Sequence, residues 1–245
     1  MKKMMKTSSL TFLCCLLAFI IAPLKNLSAQ DVTDFKFKLG VTYNITSGDK
    51  DKKNETHKLA MWFSDGDYSG MEPTEAKSQV FIVFNMKDMK MLTVMEAQKM
   101  VMTIDLGKLQ QQYQQKQTTG DDKSAPKGQV TKTGVSEKIL GYNCDQYKIT
   151  SEKSESLIWV TTELGSGFSD FSKSLMMAMN SGKGQMGGSN TTLPDTKGAT
   201  NGVMLKMIVT DLSSNKVTTL EATEVNKDGK ELNTEGYRVM SMPGQ

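Results

Sequence analysis

Hydrophobic and polar residues alternate strictly between positions 35 and 46. Apolar side chains occupy the odd positions, while Lys, Gly, Thr and Asn occupy the even ones. A period of two is typical of a β-strand with one buried face and one solvated face. The segment is therefore predicted to be one long strand of an antiparallel sheet, with these residues on its buried face: Phe35, Phe37, Leu39, Val41, Tyr43 and Ile45.

Shorter apolar runs, separated by turn-forming residues, continue along the chain and predict further strands. These strands are predicted at residues 59–63, 79–85, 89–95, 100–104, 129–134, 139–150, 156–160, 203–210, 217–225 and 237–242. Residues 65–70, which read Asp-Gly-Asp-Tyr-Ser-Gly, are predicted to form a turn instead. The short connections favour a meander of antiparallel strands over βαβ units.

Two segments have the spacing of amphipathic helices. Residues 106–117 carry Leu106, Leu109 and Tyr113 at helical intervals, and residues 169–179 carry apolar positions on one side. The apolar positions of the second helix are Phe171, Leu175, Met176 and Met179. Polar segments rich in Gly, Ser and Thr predict flexible loops near 118–128 and 180–202.

Residues 139–160 are predicted to form a β-hairpin around a polar turn at 151–155. The order Gly141, Tyr142, Cys144 and Tyr147, followed by Trp159, resembles a secreted bacterial family known as domain of unknown function 4412. Members of that family are similar to the LolA/LppX-like group of lipoprotein carriers. The resemblance implies an incomplete β-barrel whose concave face receives acyl chains beneath a helical lid.

The predicted fold class is α+β: a strongly curved antiparallel sheet of about ten strands, an incomplete β-barrel, packed on one or two helices. The carrier resemblance implies an apolar ligand on the concave face. The side chains expected to line that face or to close it are Phe35, Phe37, Leu39, Val41, Leu59, Met61, Phe63, Phe171, Leu175, Met176 and Met179.

The first 29 residues have the features of a signal peptide. Three lysines precede an apolar core at 10–22, and Leu-Ser-Ala precedes the predicted cleavage point before Gln30. The apolar core is shorter than the ~20 residues that a membrane-spanning helix needs. We therefore expect a periplasmic or secreted protein, not an integral membrane protein, with residues 30–245 forming a single domain. Cys14 and Cys15 lack the small preceding residue of a lipoprotein signal.

Removal of the leader changes the charge of the chain. Four of the 30 basic residues and none of the 27 acidic residues lie in it, so the mature chain has 26 basic groups and a net charge of about −1. Its remaining basic groups are scattered lysines and a single arginine, Arg238. This composition argues against nucleic acid as a partner.

The reactive residue types are too few to predict catalysis. Cys144 is the only cysteine outside the leader, and a lone cysteine in a strand is expected to be a small buried hydrophobe. His57 is the only histidine, although hydrolytic triads and most copper or zinc sites use at least one well-placed imidazole. The sequence therefore predicts no enzymatic activity, no cofactor and no resident metal.

The abundance of methionine, 19 residues, is the compositional anomaly. Methionines cluster at 86–102 and at 176–186. Their flexible thioethers suit an adaptable apolar surface, so the leading hypothesis is an exported binding protein for a lipid or for the acyl chain of a lipidated protein. Two alternatives remain: a methionine-rich protein that binds copper or buffers redox stress, and a structural envelope module with no ligand. The sequence does not define the oligomeric state.

Overall fold

The structure is a computed structural model that describes residues 34–48, 55–65, 68–74, 80–108, 129–152, 154–165 and 202–241. All of them belong to one compact unit, Thr33–Gln245. Within these ranges the chain forms fourteen strands, a short 3₁₀ turn at Glu96–Gln98 and the first turn of an α-helix at residues 106–108.

The strands are β1 (Asp34–Phe37), β2 (Leu39–Gly48), β3 (Glu55–Phe63), β4 (Tyr68–Pro73), β5 (Val80–Asn85), β6 (Lys90–Met95), β7 (Met100–Asp105), β8 (Gln129–Ile139), β9 (Tyr142–Thr150), β10 (Ser154–Thr161), β11 (Val203–Asp211), β12 (Val217–Asn226), β13 (Lys230–Asn233) and β14 (Arg238–Ser241). Twelve of them form one curved, open sheet in the order β14-β7-β6-β5-β4-β3-β2-β12-β11-β10-β9-β8. Every pairing in this main sheet is antiparallel except that of β14 with β7. Strands β1 and β13 form a separate two-stranded sheet.

The prediction of one continuous strand over residues 35–46 is wrong. The chain bends at Lys38, whose backbone N–H donates to the Phe63 carbonyl at 2.9 Å. The segment before the bend is β1, in the small sheet, and the segment after it is β2, in the main sheet. Alternation survives the bend because each segment buries its odd residues, but the two segments belong to different layers.

The two layers produce two apolar clusters on opposite faces of the main sheet. Strand β3 shows the division because successive side chains of a strand point to opposite faces. Leu59, Met61 and Phe63 belong to the larger cluster, which also receives residues of β2 and β9–β12. Ala60 and Trp62 belong to the smaller cluster, together with buried residues of β1, β5–β7 and β13. The small sheet thus covers one face of β3–β7.

A partly buried ion pair ties the small sheet to the main one. Lys230 of β13 donates to both carboxylate oxygens of Glu72, at 2.8 and 3.0 Å. Trp62 Nε1 donates to the same carboxylate at 2.8 Å, and the Lys230 ammonium lies 4.9 Å from the centre of the Phe81 ring. The carboxylate and ammonium therefore satisfy each other where the two layers meet.

The predicted turn at 65–70 is partly wrong, because Tyr68 already starts β4. A glycine usually weakens a strand, which is why the sequence favoured a turn here. In the structure, a Cβ on Gly70 would lie 2.5 Å from Phe81 Cζ and 3.0 Å from Phe37 Cε1. The glycine therefore lets two buried aromatic rings of the smaller cluster approach the backbone of β4.

The hairpin predicted within residues 139–160 is confirmed as the β9–β10 pair, with Ile158 opposite Tyr147. Ile139 instead ends β8, and Leu140 and Gly141 make a two-residue turn to Tyr142. Both turn residues have positive φ, 50° and 91°, as a type I′ hairpin turn requires. An irregularity in the β8–β9 pairing falls between Lys132 and Ser136, whose partners on β9 are Tyr147 and Asp145.

The helical predictions are only partly covered by the described residues. Residues 106–108 are helical, and Asp105 caps them by accepting a hydrogen bond from the Lys108 backbone N–H at 2.8 Å. The rest of the first predicted helix, all of the second and the two predicted flexible loops, apart from Gly202, lie outside the described residues. The described part of the chain has fourteen strands where about ten were predicted, and the helix packing of the predicted α+β fold is not among its features.

Candidate functional site

The face of the main sheet that carries the larger cluster continues across to the β14 edge. Strand pairing places one residue from each strand side by side, so a row of side chains crosses the sheet on this face. The row runs through Val41, Met61, Met71, Ile82, Thr93, Met102 and Met240. Four of these seven side chains are methionines.

Solvent exposure rises along this row. Val41, Met61 and Met71 are at most 1% exposed. Ile82 and Met102 are half-buried, and Met240 at the edge is 46% exposed. The β2–β4 end of the face therefore belongs to the core, whereas the β5–β14 end presents apolar side chains to solvent.

The other face of β5, β6 and β7 is buried, whereas Val239 on the same side of β14 is 46% exposed. Leu92, Val94 and Val101 are at most 3% exposed because the small sheet covers them. Their sequence neighbours Met91 and Met95, which point to the opposite side, are half-buried. The two faces of β6 and β7 thus differ in solvent exposure because the small sheet covers only one of them.

We define the methionine face as the partly exposed apolar side chains on this side of β5, β6, β7 and β14. Its members are Val80, Ile82, Met91, Met95, Met100, Met102, Ile104 and Met240. Methionine is unbranched and polarisable, so such a surface can adapt its shape to an apolar ligand. Three strand spacings separate β5 from β14, a width of about 14 Å.

Strand register brings thioethers together on this face. Met95 lies directly opposite Met100 in the antiparallel β6–β7 pair, and Met102 lies beside Met240 in the parallel β7–β14 pair. Directly opposed residues have Cβ atoms about 5 Å apart, which is within reach of two methionine side chains. Thioether sulfur is a ligand for soft metal ions such as Cu(I).

Arg238 stands at the margin of the methionine face. The Nη2 atom of Arg238 lies 3.4 Å from the Met100 Sδ, and Met100 is also the residue beside Arg238 in the parallel β7–β14 pair. The side chain is exposed, and among the described residues the guanidinium has no carboxylate partner. An apolar surface and an uncompensated cation therefore lie side by side.

The residues predicted to bind a ligand are divided by the structure. Leu39, Val41, Leu59, Met61 and Phe63 lie on the same face as the methionine face, but at its buried end. Phe35 and Phe37 lie in the smaller cluster on the opposite side, so the expectation that all seven line one face is wrong. The predicted lid residues lie outside the described residues: Phe171, Leu175, Met176 and Met179.

The partly exposed members of the face were not among the residues predicted to bind a ligand. Strands β6 and β7 are apolar at both odd and even positions, so periodicity cannot say which side faces solvent. The concentration of methionine at 86–102 was the only sequence signal. Arg238 gave none beyond being the single arginine.

These residues fall within a region that matches a protein-family model over residues 51–238, described as a domain of unknown function (DUF4412). The chain belongs to the DUF4412 family. The match spans more than half of the chain and includes all members of the methionine face except Met240, as well as Arg238. The family predicted from the residues around Cys144 is thereby confirmed.

One solved structure similar to this DUF4412 chain is that of PNGF-II, with 14% sequence identity and a TM-score of 0.43. The similarity covers 83% of this chain but only 31% of the PNGF-II chain. An uncharacterized conserved protein from Thermus thermophilus has 6% identity and a TM-score of 0.42, with 84% and 91% coverage. A LolA superfamily protein from Nitrosomonas europaea has 11% identity and a TM-score of 0.30, with 78% and 85% coverage. No curated protein matches the sequence.

The cysteine of the DUF4412 motif is a core residue. Cys144 is 1% exposed, and burial raises the pKa of its thiol to about 11. Its Sγ contacts the Tyr142 carbonyl oxygen at 3.6 Å. Because the thiolate is the nucleophilic form, this side chain is poorly suited to covalent chemistry at neutral pH. The prediction that Cys144 is a small buried hydrophobe is confirmed.

The acidic groups with perturbed pKa values are satisfied by their own surroundings. Hydrogen bonds from the Ser213 hydroxyl and the Ser213 and Ser214 backbone lower the pKa of Asp211 to about 2. A backbone hydrogen bond from Asn143 lowers the pKa of Glu163. These groups shape turns at the surface. Within the described ranges, no three His, Cys, Asp or Glu side chains are placed to hold a metal ion.

His57, the only histidine, lies exposed on β3, opposite Ile45 of β2.

No helix in the described part of the DUF4412 chain is long and apolar enough to cross a membrane. The methionine face with its neighbouring arginine is the candidate binding surface of the described part of the chain.

Proposed function

We propose that this chain is an exported, non-enzymatic binding protein that holds a lipid, or the acyl chain of a lipoprotein, on the methionine face. The observation that carries the proposal is the half-buried state of apolar side chains on β5, β6 and β7, whose opposite side is buried under the small sheet. Leaving such side chains partly in water is unfavourable, so a ligand that covers them gains their burial.

The energetics favour a long apolar ligand. Each CH₂ group removed from water contributes about 0.8 kcal/mol, so a single acyl chain supplies substantial free energy before the cost of ordering it. Met91, Met95 and Met102 can change rotamer to follow the chain at little cost. The signal-peptide features of residues 1–29 support an exported protein that would meet lipids in the cell envelope.

The proposal is tested by native mass spectrometry of protein isolated from the envelope, followed by binding of a fatty-acid probe. Met102→Lys places a charge in the middle of the methionine face and should weaken probe binding at least ~10-fold. Leu212→Lys is the matched control, because Leu212 is 50% exposed in the β11–β12 turn, away from the face. Ligand-free mass together with no probe binding by the unmodified protein would refute the proposal, and would leave copper binding and the structural envelope module as the remaining accounts.

The opposed thioethers favour a second candidate function, binding of Cu(I). Met95 and Met100 face each other, and Met102 and Met240 are neighbours, which is the kind of donor set that soft metals prefer. A Cu(I) titration would compare the unmodified protein with a Met100→Leu, Met102→Leu variant. Met86→Leu, in the β5–β6 turn, is the control. Equal copper affinities in all three proteins would remove this candidate.

A further inference from the structure

The charged margin of the methionine face indicates the chemical class of its ligand. Arg238 is the only arginine in the chain, and it lies at the end of an apolar row that runs through Val80, Met95 and Met100. Several lysines of the described surface form ion pairs with acidic residues: Lys132 contacts Asp145 at 2.7 Å, for example. The guanidinium of Arg238 instead contacts a thioether sulfur.

An arginine in this setting is available for an external anion. The guanidinium is always charged, and its planar fork matches carboxylate and phosphate oxygens. A carboxylate from the protein would compete for that fork, but the described residues supply none. The position of Arg238 on the edge strand β14 leaves the group open to solvent on one side of the apolar surface.

We propose that the ligand of the methionine face is an anionic amphiphile, with its chain across the methionines and its carboxylate or phosphate head group on Arg238. This inference rests on the proposed function, because it assigns the head group of a ligand whose chain that function already places. Its basis is charge complementarity: an amphiphile with a negative head satisfies both the apolar side chains and the uncompensated guanidinium.

The test uses three probes of equal chain length, measured by equilibrium dialysis below their aggregation limits. Dodecanoate and dodecyl phosphate carry the two anionic heads, and dodecanol carries a neutral one. Arg238→Gln removes the charge while keeping hydrogen-bond donors, and Arg238→Lys keeps the charge without the fork. Lys87→Gln is the matched control, because Lys87 is an exposed cation at the other end of β5 and β6.

For Arg238→Gln we expect roughly fivefold weaker binding of the two anionic probes, which is the scale of one exposed ion pair, and no loss for dodecanol. Arg238→Lys should recover part of that loss, and Lys87→Gln should lose nothing. High salt should weaken binding of the anions selectively, since the Debye length shrinks from about 10 Å at 0.1 M to about 3 Å at 1 M. A stronger loss for one anion identifies the preferred head group.

The outcomes separate the two proposals. If the unmodified protein binds all three probes and Arg238→Gln binds them equally well, the head-group assignment is overturned while the proposed function stands. If the unmodified protein binds none of the probes, both are overturned. Substitution of the Arg238 side chain leaves its backbone hydrogen bond to the Lys99 carbonyl in place, so β14 should remain paired in each variant. Thermal unfolding checks that each variant is still folded.

Discussion

Gly70→Ala tests the aromatic packing of the smaller cluster against β4 directly. The added Cβ would lie 2.5 Å from Phe81 Cζ and 3.0 Å from Phe37 Cε1, whereas carbon atoms in contact prefer about 3.5–4.0 Å. Relief requires a movement of about 1 Å. Both rings are at most 3% exposed, so neither can swing into solvent. Overpacking of this kind costs typically about 1–3 kcal/mol.

We expect a loss of about 2 kcal/mol in the free energy of unfolding, measured by urea denaturation, and a fall in Tm of about 4–8 °C. Gly107→Ala is the control because its Cβ would meet Asp105 Oδ1 at 3.3 Å and no ring, at a position in the first helical turn. Its stability should be unchanged or slightly higher.

A double-mutant cycle identifies the cause of the loss. Phe81→Leu removes the ring atoms that Gly70→Ala would meet, so the two substitutions together should cost at least ~1 kcal/mol less than the sum of their separate costs. Full stability of Gly70→Ala, or additive losses in the cycle, would mean that the Phe81 ring of β5 does not lie against Gly70 as described.

Three further predictions concern single side chains. Burial raises the pKa of Cys144 from 9.0 to about 11, so the unfolded thiol ionises first and stability should fall as pH rises from about 9 toward about 11. Cys144→Ala should reduce that slope in pH-dependent denaturation, and an unchanged slope would contradict the assignment. Hydrogen bonds lower the pKa of Asp211 from 3.8 to about 2, so its contribution to stability is present above pH 3.8 and is lost toward pH 2. Ser213→Ala should raise the pKa of Asp211 in an NMR titration, and an unchanged pKa would contradict the assignment. The Ser69 hydroxyl is buried without a hydrogen-bond partner on the side of the main sheet that carries the larger cluster. Ser69→Ala should therefore raise the free energy of unfolding by about 1 kcal/mol in chemical denaturation. A lower free energy of unfolding would mean that the hydroxyl is hydrogen-bonded after all.

Local sequence signals determined much of the sheet. The apolar runs of β5, β6 and β7 and the turns between them are local features, since each hairpin needs only neighbouring residues. The burial of Cys144 is readable in the same way. The Leu140–Gly141 turn was missed, because residues 139–150 were predicted to form one continuous strand. The residues around that cysteine also indicated the DUF4412 family, which the family match confirms.

Tertiary structure decided which face each strand buries. Phe37 and Leu39 have the same parity, yet they lie in different clusters because the bend at Lys38 moves the chain from one layer to the other. Strand β4 was missed because only the approach of the Phe81 ring explains a glycine at its centre. The alternation of apolar and polar residues indicates that one side of a strand is buried, but it does not indicate which layer of the fold covers that side.

The candidate site depends on tertiary structure most of all. β6 and β7 are apolar on both sides, so only the small sheet above one side shows that Met95 and Met102 face the other. Arg238 reaches Met100 across 138 positions of sequence through the parallel pairing of β14 with β7. The sequence by itself determined where strands form and that methionine is abundant, because those properties are local. The fold alone decided which methionines stay near solvent and which cation lies beside them, because both depend on contacts between distant segments.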